Sequence, residues 1–134
     1  PLITRDPEKL AQSISILDKL LNRGNESENF KAAMAASTQA AMAEGHVNLL
    51  IVANRMSMPE RQLRNRMTTL NLSFRDMLDE ERKRRFRQLH SAGESYASIA
   101  QALAYNDQAA FNRAFKRWYN MSPTQYTARQ SKYI

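Results

Sequence analysis

Two short runs of the sequence concentrate side chains with planar hydrogen-bonding groups, 48 positions apart when measured from Arg64 to Asn112. On a helix, residues three and four positions apart share a face, so each run would present one hydrogen-bonding surface. Guanidinium and carboxamide groups make paired hydrogen bonds to guanine and adenine edges in the major groove of DNA. We therefore predict two sets of base-reading residues, which are Arg61, Arg64 and Asn65 in the first run and Gln108, Asn112 and Arg113 in the second.

The distribution of charge supports a polyanionic partner for these runs. The chain has 20 Lys and Arg against 13 Asp and Glu, a formal net charge of +7. Residues 46–134 carry fifteen of the basic and seven of the acidic residues, whereas residues 1–45 are close to neutral. A basic domain of this kind favours nucleic acid as its partner. The phosphate-contacting candidates are Arg55, Arg66, Lys116, Arg117 and the helix N-terminus that follows Ser73.

Several classes of site are excluded by the composition. The chain has no cysteine, which rules out disulfides, thiolate catalysis and cysteine-based zinc sites. Its two histidines, His46 and His90, are far apart in sequence, so we predict no metal site. We find neither a phosphate-cradling glycine loop nor a set of catalytic residues, and we predict no cofactor and no enzymatic activity.

Apolar spacing and helix-capping residues predict an all-α chain of about eight helices. The expected N-caps are Asp6, Ser27, Asn48, Ser73, Ser95, Asp107 and Ser122, the last in a capping box with Gln125. Gly24, Gly45, Gly93 and Asn120 are expected to end helices. Pro59 should open a helix whose cap would come from Ser57. The resulting segments are 7–22, 28–44, 49–55, 59–69, 74–90, 96–104, 108–119 and a last helix that begins at Pro123.

Two of these helix pairs share one layout, in residues 48–69 and 95–119. Each pair has a short apolar helix, a tight turn and a second helix rich in Arg, Asn and Gln. In a helix-turn-helix the first helix braces the second, which lies in the major groove. Leu63 and Met67, and likewise Phe111 and Phe115, would face inward from the second helices. The alternative is that the charged faces are merely solvated, as most are.

The residues from about 48 to 129 resemble the DNA-binding domain of the AraC/XylS transcription regulators. The resemblance is carried by Ser98-Ile99-Ala100, by the run from Phe111 to Trp118, and by Ser122-Pro123 with Tyr126, with weaker matches at Val52-Ala53, Leu63-Arg64 and Leu72-Ser73-Phe74. The chain departs from the pattern at Ala104-Tyr105, where the family has Gly-Phe, and at Phe86, where the family has a small residue. If the turn needs positive φ, Ala104 costs roughly 1 kcal/mol.

The resemblance implies two helix-turn-helix subdomains joined by a long linking helix, with an extra N-terminal helix. We expect a linker helix in residues 1–26, a first lobe in 27–72, the linking helix in 73–92 and a second lobe in 93–134. Arg82 would tie the linking helix to a lobe, and Phe86 would be buried and hold the two lobes together. The implied protein is a bacterial transcription regulator in the cytoplasm, associated with the nucleoid, whose partners are promoter DNA and, as a further candidate, RNA polymerase.

Two questions about association remain open from the sequence. Because both DNA-reading lobes lie in one chain, we predict a monomer, with dimerisation of a longer protein left to an N-terminal domain that the resemblance implies and this sequence lacks. The stripe of Leu10, Ile14, Leu17 and Leu21 spans only about two heptads, and we expect it to pack on the helix 28–44. The rival to DNA binding is a basic protein-interaction module without DNA readout, which would dock an acidic surface such as that of RNA polymerase.

Overall fold

The computed structural model describes residues 7–131, apart from the side chains of residues 23 and 131, and within this range it is helical without strands. It divides into two compact units, one extending to Met34 and the other beginning at Ala35. No helix in the described range is long and apolar enough to span a membrane. The helices are α1 (Pro7–Ala43), α2 (Leu49–Arg55), α3 (Glu60–Thr69), α4 (Phe74–Ser91), α5 (Tyr96–Ala102), α6 (Gln108–Tyr119) and α7 (Pro123–Ser131).

The N-terminal helix α1 corrects the sequence prediction. Gly24 does not adopt the left-handed conformation that would end a helix, and Ser27 lies inside α1 instead of capping a new one. Because the predicted helices 7–22 and 28–44 are one continuous helix, the first cannot pack on the second. Asp6, the expected N-cap, lies outside the described residues. The helix ends as predicted before Gly45, whose φ is +93°.

Between Leu10 and Leu21, α1 exposes its large apolar side chains. Each of these side chains is at least half exposed in the unit that extends to Met34, and the set comprises Leu10, Ile14, Ile16, Leu17, Leu20 and Leu21.

The helix pair α2 and α3 forms as predicted, in the part of the chain expected to be the first lobe. The side chain of Asn48 accepts a hydrogen bond from the Ile51 amide at 2.8 Å and so caps α2. The turn to α3 uses Ser57 in a left-handed conformation, with φ of 54°. Ser57 is therefore not the cap of α3: Pro59 occupies the cap position and makes no side-chain hydrogen bond there. Buried side chains in this lobe include Val52, Ala53, Leu63 and Met67.

The second lobe is built on an aromatic core into which the linking helix α4 inserts Phe86. This side chain is fully buried with Phe111 and Phe115 of α6 and Ile99 of α5. Its ring centroid lies 5.1 Å from that of Phe115 in an edge-to-face arrangement. The burial of Phe86 is confirmed, and the core that it joins is that of the second lobe. Trp118 packs against the same core, as its spacing with Phe111 and Phe115 predicts.

Helix ends in the linking helix and second lobe follow the predicted caps. Ser73, Ser95 and Asp107 each accept a hydrogen bond from the backbone amide three residues later, at 3.2, 3.1 and 2.8 Å. The capping box also forms, because the Gln125 amide donates to the Ser122 hydroxyl and the Ser122 amide donates to the Gln125 side chain. Asn120 is left-handed, with φ of 57°. Local sequence therefore determines where these helices begin and end.

The turn between α5 and α6 contains the departure from the Gly-Phe pattern. Ala104 has a φ of 64°, in the left-handed region that disfavours a side chain with Cβ. The Arg82 side chain on α4 supports this turn, because its Nε and Nη2 donate to the carbonyl oxygens of Leu103 and Ala104 at 2.9 and 3.3 Å. Its guanidinium also lies 4.0 Å from the centre of the Tyr105 ring. The predicted tie between Arg82 and a lobe is thus confirmed.

Replacing Ala104 by glycine should stabilise the protein. Glycine adopts positive φ without steric cost, and the gain of about 1–2 kcal/mol is partly offset by the greater freedom of the unfolded chain. We expect Ala104→Gly to raise the free energy of unfolding by up to about 1 kcal/mol, as measured by urea denaturation. The same substitution at exposed Ala97 inside α5 is the control and should cost about 1 kcal/mol. If Ala104→Gly and Ala97→Gly lowered the free energy of unfolding equally, the strain at Ala104 would be contradicted.

Candidate nucleic-acid interface

The predicted base-reading residues lie on the outer faces of α3 and α6. All six side chains are exposed, namely those of Arg61, Arg64, Asn65, Gln108, Asn112 and Arg113. The opposite face of α3 is buried through Leu63 and Met67, and that of α6 through Phe111, Ala114 and Phe115. Each helix is thus held by its apolar face and presents a hydrogen-bonding face to the outside, which is the arrangement that a recognition helix requires.

Within α3, Arg64 is engaged by an acidic residue that sequence reasoning did not single out. The Arg64 Nε and Nη2 atoms both donate to the same carboxylate oxygen of Glu60, at 3.1 and 2.7 Å. Glu60 is the first residue of α3, one turn before Arg64. The sequence contains the signal for this pair, because a Glu and an Arg four positions apart on a helix are close enough to form an ion pair.

Within α6, the two carboxamide candidates are joined in a similar way. The Gln108 Nε2 donates to the Asn112 Oδ1 at 3.2 Å, one turn along the helix. This hydrogen bond restricts the orientation of both side chains before any ligand is present. Gln and Asn can each make paired contacts to adenine.

All of the predicted phosphate contacts are exposed, which holds for Arg55, Arg66, Ser73, Lys116 and Arg117. The Ser73 hydroxyl accepts from the Asp76 amide at the N-terminus of α4. Arg55 and Arg117 form ion pairs with acidic residues of the protein.

The ion pairs of Arg55 and Arg117 each join two elements of the fold. Arg55, at the end of α2, pairs with Glu44 after α1, and it holds the pKa of that carboxyl below its usual value. Arg117 of α6 donates from Nη2 to Asp79 of α4 at 2.9 Å. A phosphate would compete with Asp79 for Arg117. Neither partner was predicted, because both pairs depend on how separate helices pack.

The turn before α6 is contacted by the cluster of Arg82 and Tyr105. Burial lowers the pKa of the Arg82 guanidinium and raises the pKa of the Tyr105 phenol. The partly buried Arg82 side chain thus joins the linking helix to the turn from which α6 starts.

The sequence also matches a family model described as a helix-turn-helix domain, over residues 52–129. This match covers more than half of the chain and includes α3, α4 and α6. The chain belongs to this helix-turn-helix family. The resemblance to the AraC/XylS type of regulator is thereby confirmed.

Curated relatives of this family member are named as transcription regulators. The chain is 33% identical over 85 residues to the HTH-type transcriptional regulator VirS of Mycobacterium tuberculosis, covering 63% of the chain and 25% of VirS. It is 30% identical over 130 residues to an uncharacterized HTH-type transcriptional regulator of the same species, covering 96% of the chain and 38% of that protein. The chain therefore spans about a quarter to two fifths of these relatives' length.

A solved structure shares the fold. It is the crystal structure of a DNA-binding transcriptional dual regulator from Escherichia coli K-12, with a TM-score of 0.65 and 24% sequence identity. The similarity covers 76% of this chain and 92% of that one. The all-α architecture predicted from the sequence is thus found in an experimentally determined member of the same structural class.

Proposed function

We propose that this chain binds double-stranded DNA with sequence specificity, as the DNA-binding part of a bacterial transcription regulator. The observation that carries the proposal is the paired arrangement of α3 and α6, each buried on one face and carrying exposed Arg, Asn or Gln on the other. Membership of the helix-turn-helix family and the names of the relatives support it. The excess of positive charge in residues 46–134 suits the phosphate backbone.

In the proposed complex the two recognition helices enter successive major-groove segments on one side of the DNA. Such segments are about 34 Å apart, one helical turn. Arg61, Arg64 and Asn65 would read bases in one segment, and Gln108, Asn112 and Arg113 in the other. The phosphate contacts would come from Arg55, Arg66, Lys116, Arg117 and the N-terminus after Ser73. DNA that is held by two fixed lobes would have to bend toward both.

Binding-site selection from random duplex DNA tests this proposal. We expect an enriched motif with two conserved segments, separated by about one helical turn. The rival function, a protein-interaction module without DNA readout, predicts no enriched sequence. The altered turn at Ala104-Tyr105 is the sequence feature that favours the rival, since it departs from the Gly-Phe pattern of the family. In the structure this turn forms, and α6 still presents its polar face.

Base-reading and phosphate-contacting side chains should respond differently to alanine substitution. Arg64→Ala should weaken binding to the selected site by about 1–3 kcal/mol and relax the preference at one position. Lys116→Ala should weaken binding to selected and random DNA about equally, because a phosphate contact carries no sequence information. Competition assays with both duplexes measure the two effects. An unchanged motif for Arg64→Ala would show that α3 does not read bases with this face.

The chain should be a monomer in solution. Both recognition helices belong to one chain, and the apolar stripe of α1 between Leu10 and Leu21 spans only about two heptads, which is short for a stable coiled coil. Light scattering at tens of micromolar should give the 15.4 kDa of a single chain. A concentration-independent mass of twice that value would contradict the monomer and indicate α1 as the interface.

The whole regulator would act in the bacterial cytoplasm, at the nucleoid. We infer that RNA polymerase is a further partner and that a longer protein would dimerise through an additional N-terminal domain. Both inferences rest on the AraC/XylS type of the family.

A further inference from the structure

The acidic residue at the start of α3, Glu60, does not cap the helix through a side-chain hydrogen bond. The N-cap position is occupied by Pro59, which makes no side-chain hydrogen bond, and Glu60 directs its carboxylate to Arg64 instead of to the free backbone amides. A carboxylate near phosphate groups is repelled by them and weakens overall binding. The Glu60 side chain is 34% exposed and lies beside Arg64, at the edge of the base-reading face, where its charge would be close to bound DNA.

The hydrogen bonds between Glu60 and Arg64 leave specific atoms available to a ligand. Both bonds use the Oε1 of Glu60, and its Oε2 makes no hydrogen bond with any residue in the described range. The Arg64 guanidinium has five N–H donors, and the two bonds take one from Nε and one from Nη2. The remaining donors lie on Nη1 and Nη2, at the end of the side chain, where they form a fork that matches the O6 and N7 atoms of guanine.

The contact between the two side chains fits neighbouring base pairs. Glu60 and Arg64 are four residues apart, about 6.0 Å along the helix axis. Their polar groups meet, with Arg64 Nη2 and Glu60 Oε1 2.7 Å apart, so both can reach base pairs that are stacked about 3.4 Å apart. Residues at the N-terminal end of a recognition helix are those that contact base edges. A carboxylate in the major groove accepts a hydrogen bond from the N4 amino group of cytosine.

From these observations we propose that Glu60 is a specificity-determining residue that reads a cytosine with its Oε2 and holds Arg64 for the adjacent guanine with its Oε1. This proposal rests on the proposed DNA-binding function and deepens it, since it assigns a base to a residue outside the predicted set. The first lobe would then select a cytosine next to the guanine that Arg64 contacts. Glu60 would reduce binding to every other sequence, because its charge opposes the phosphates unless the N4 amino group is present.

Site selection with Glu60 variants tests the proposal. In the motif of the unaltered protein we expect cytosine beside the guanine whose preference Arg64→Ala relaxes. Glu60→Gln should lower the preference for cytosine over adenine at this position by about tenfold or more. Adenine would then be accepted, since a carboxamide pairs with adenine. The same variant should bind random DNA several-fold more tightly, because one negative charge is removed.

Two further variants separate base reading from charge and from helix stability. Glu60→Asp keeps the charge but is too short to reach both partners, and it should also lose the cytosine preference. Glu80→Gln removes an acidic residue that pairs with Lys83 on α4 and should leave the motif unchanged. Thermal melting verifies that all variants are folded.

The outcomes distinguish this inference from the function on which it rests. If the unaltered protein enriches no motif, DNA readout itself is contradicted. If it enriches a motif that Glu60→Gln and Glu60→Asp leave unchanged, DNA readout stands, and Glu60 is only a helix ion pair. If Glu60→Gln alters the motif but Glu60→Asp does not, charge alone acts and the reading of cytosine is wrong.

Discussion

Raising the monovalent salt concentration from about 50 to about 200 mM should weaken DNA binding by roughly 100-fold or more. Each neutralised phosphate releases condensed counterion and adds about −0.9 to the slope of the log–log plot of affinity against salt. Four basic candidates for phosphate contact, Arg55, Arg66, Lys116 and Arg117, are exposed on the first and second lobes. Contacts from all four would give a slope of roughly −3.6, which corresponds to a loss of about 150-fold over this range.

The salt series also tests which basic residues touch phosphate. Lys116→Ala should reduce the slope by about one unit. Arg117 is paired with Asp79 in the free protein, so its contact with DNA exchanges one anionic partner for another. We therefore expect Arg117→Ala to change the slope less than Lys116→Ala does. A slope near zero for the unaltered protein, measured by fluorescence anisotropy, would contradict binding to DNA altogether.

Phe86→Ala should destabilise the protein by about 3–5 kcal/mol, the cost of truncating a fully buried aromatic side chain. Phe86 is completely buried, and its ring contacts Phe115, Tyr119 and Tyr126, with centroid distances of 5.1, 5.9 and 5.9 Å. The loss includes the cavity that the surrounding rings cannot fill. Since single domains are stable by only about 5–15 kcal/mol, this variant should be close to unfolding.

Urea denaturation measures this effect, and the same helix offers a matched control. Phe74 begins α4 and is only partly buried, so Phe74→Ala should cost clearly less than Phe86→Ala. A cost below about 1 kcal/mol for Phe86→Ala would show that the second lobe does not depend on this ring. If Phe86→Ala unfolds the second lobe and leaves α2 and α3 folded, the result would agree with the position of Phe86 in the core of the second lobe.

The fold could be predicted well where the information is local. Asn48, Ser73, Ser95, Asp107 and the capping box of Ser122 begin their helices as expected, because a cap needs only a side-chain oxygen and an amide three residues away. The prediction was wrong at Gly24, where a glycine inside α1 costs about 1 kcal/mol but the flanking residues still favour a helix. Glycine permits a helix to end but does not require it.

The candidate site was predicted by periodicity, and its electrostatic partners were not. The period of 3.6 residues was sufficient to place Arg64 and Asn112 on exposed faces opposite Leu63 and Phe111. The pairing of Arg117 with Asp79 joins residues 38 positions apart and depends on how α4 packs on α6. For Arg82, the sequence predicted only a contact between the linking helix and a lobe. The two carbonyl oxygens that accept its hydrogen bonds, on Leu103 and Ala104, are brought to it by the folding of the chain.

The most direct test of the account compares affinities for two duplexes at one salt concentration. One duplex carries the sequence selected from random DNA, and the other carries the same bases in scrambled order. At about 150 mM salt we expect the chain to bind the selected duplex at least about 1,000-fold more tightly, the lower end for specific recognition. Equal affinities for the two duplexes would contradict sequence-specific binding by α3 and α6.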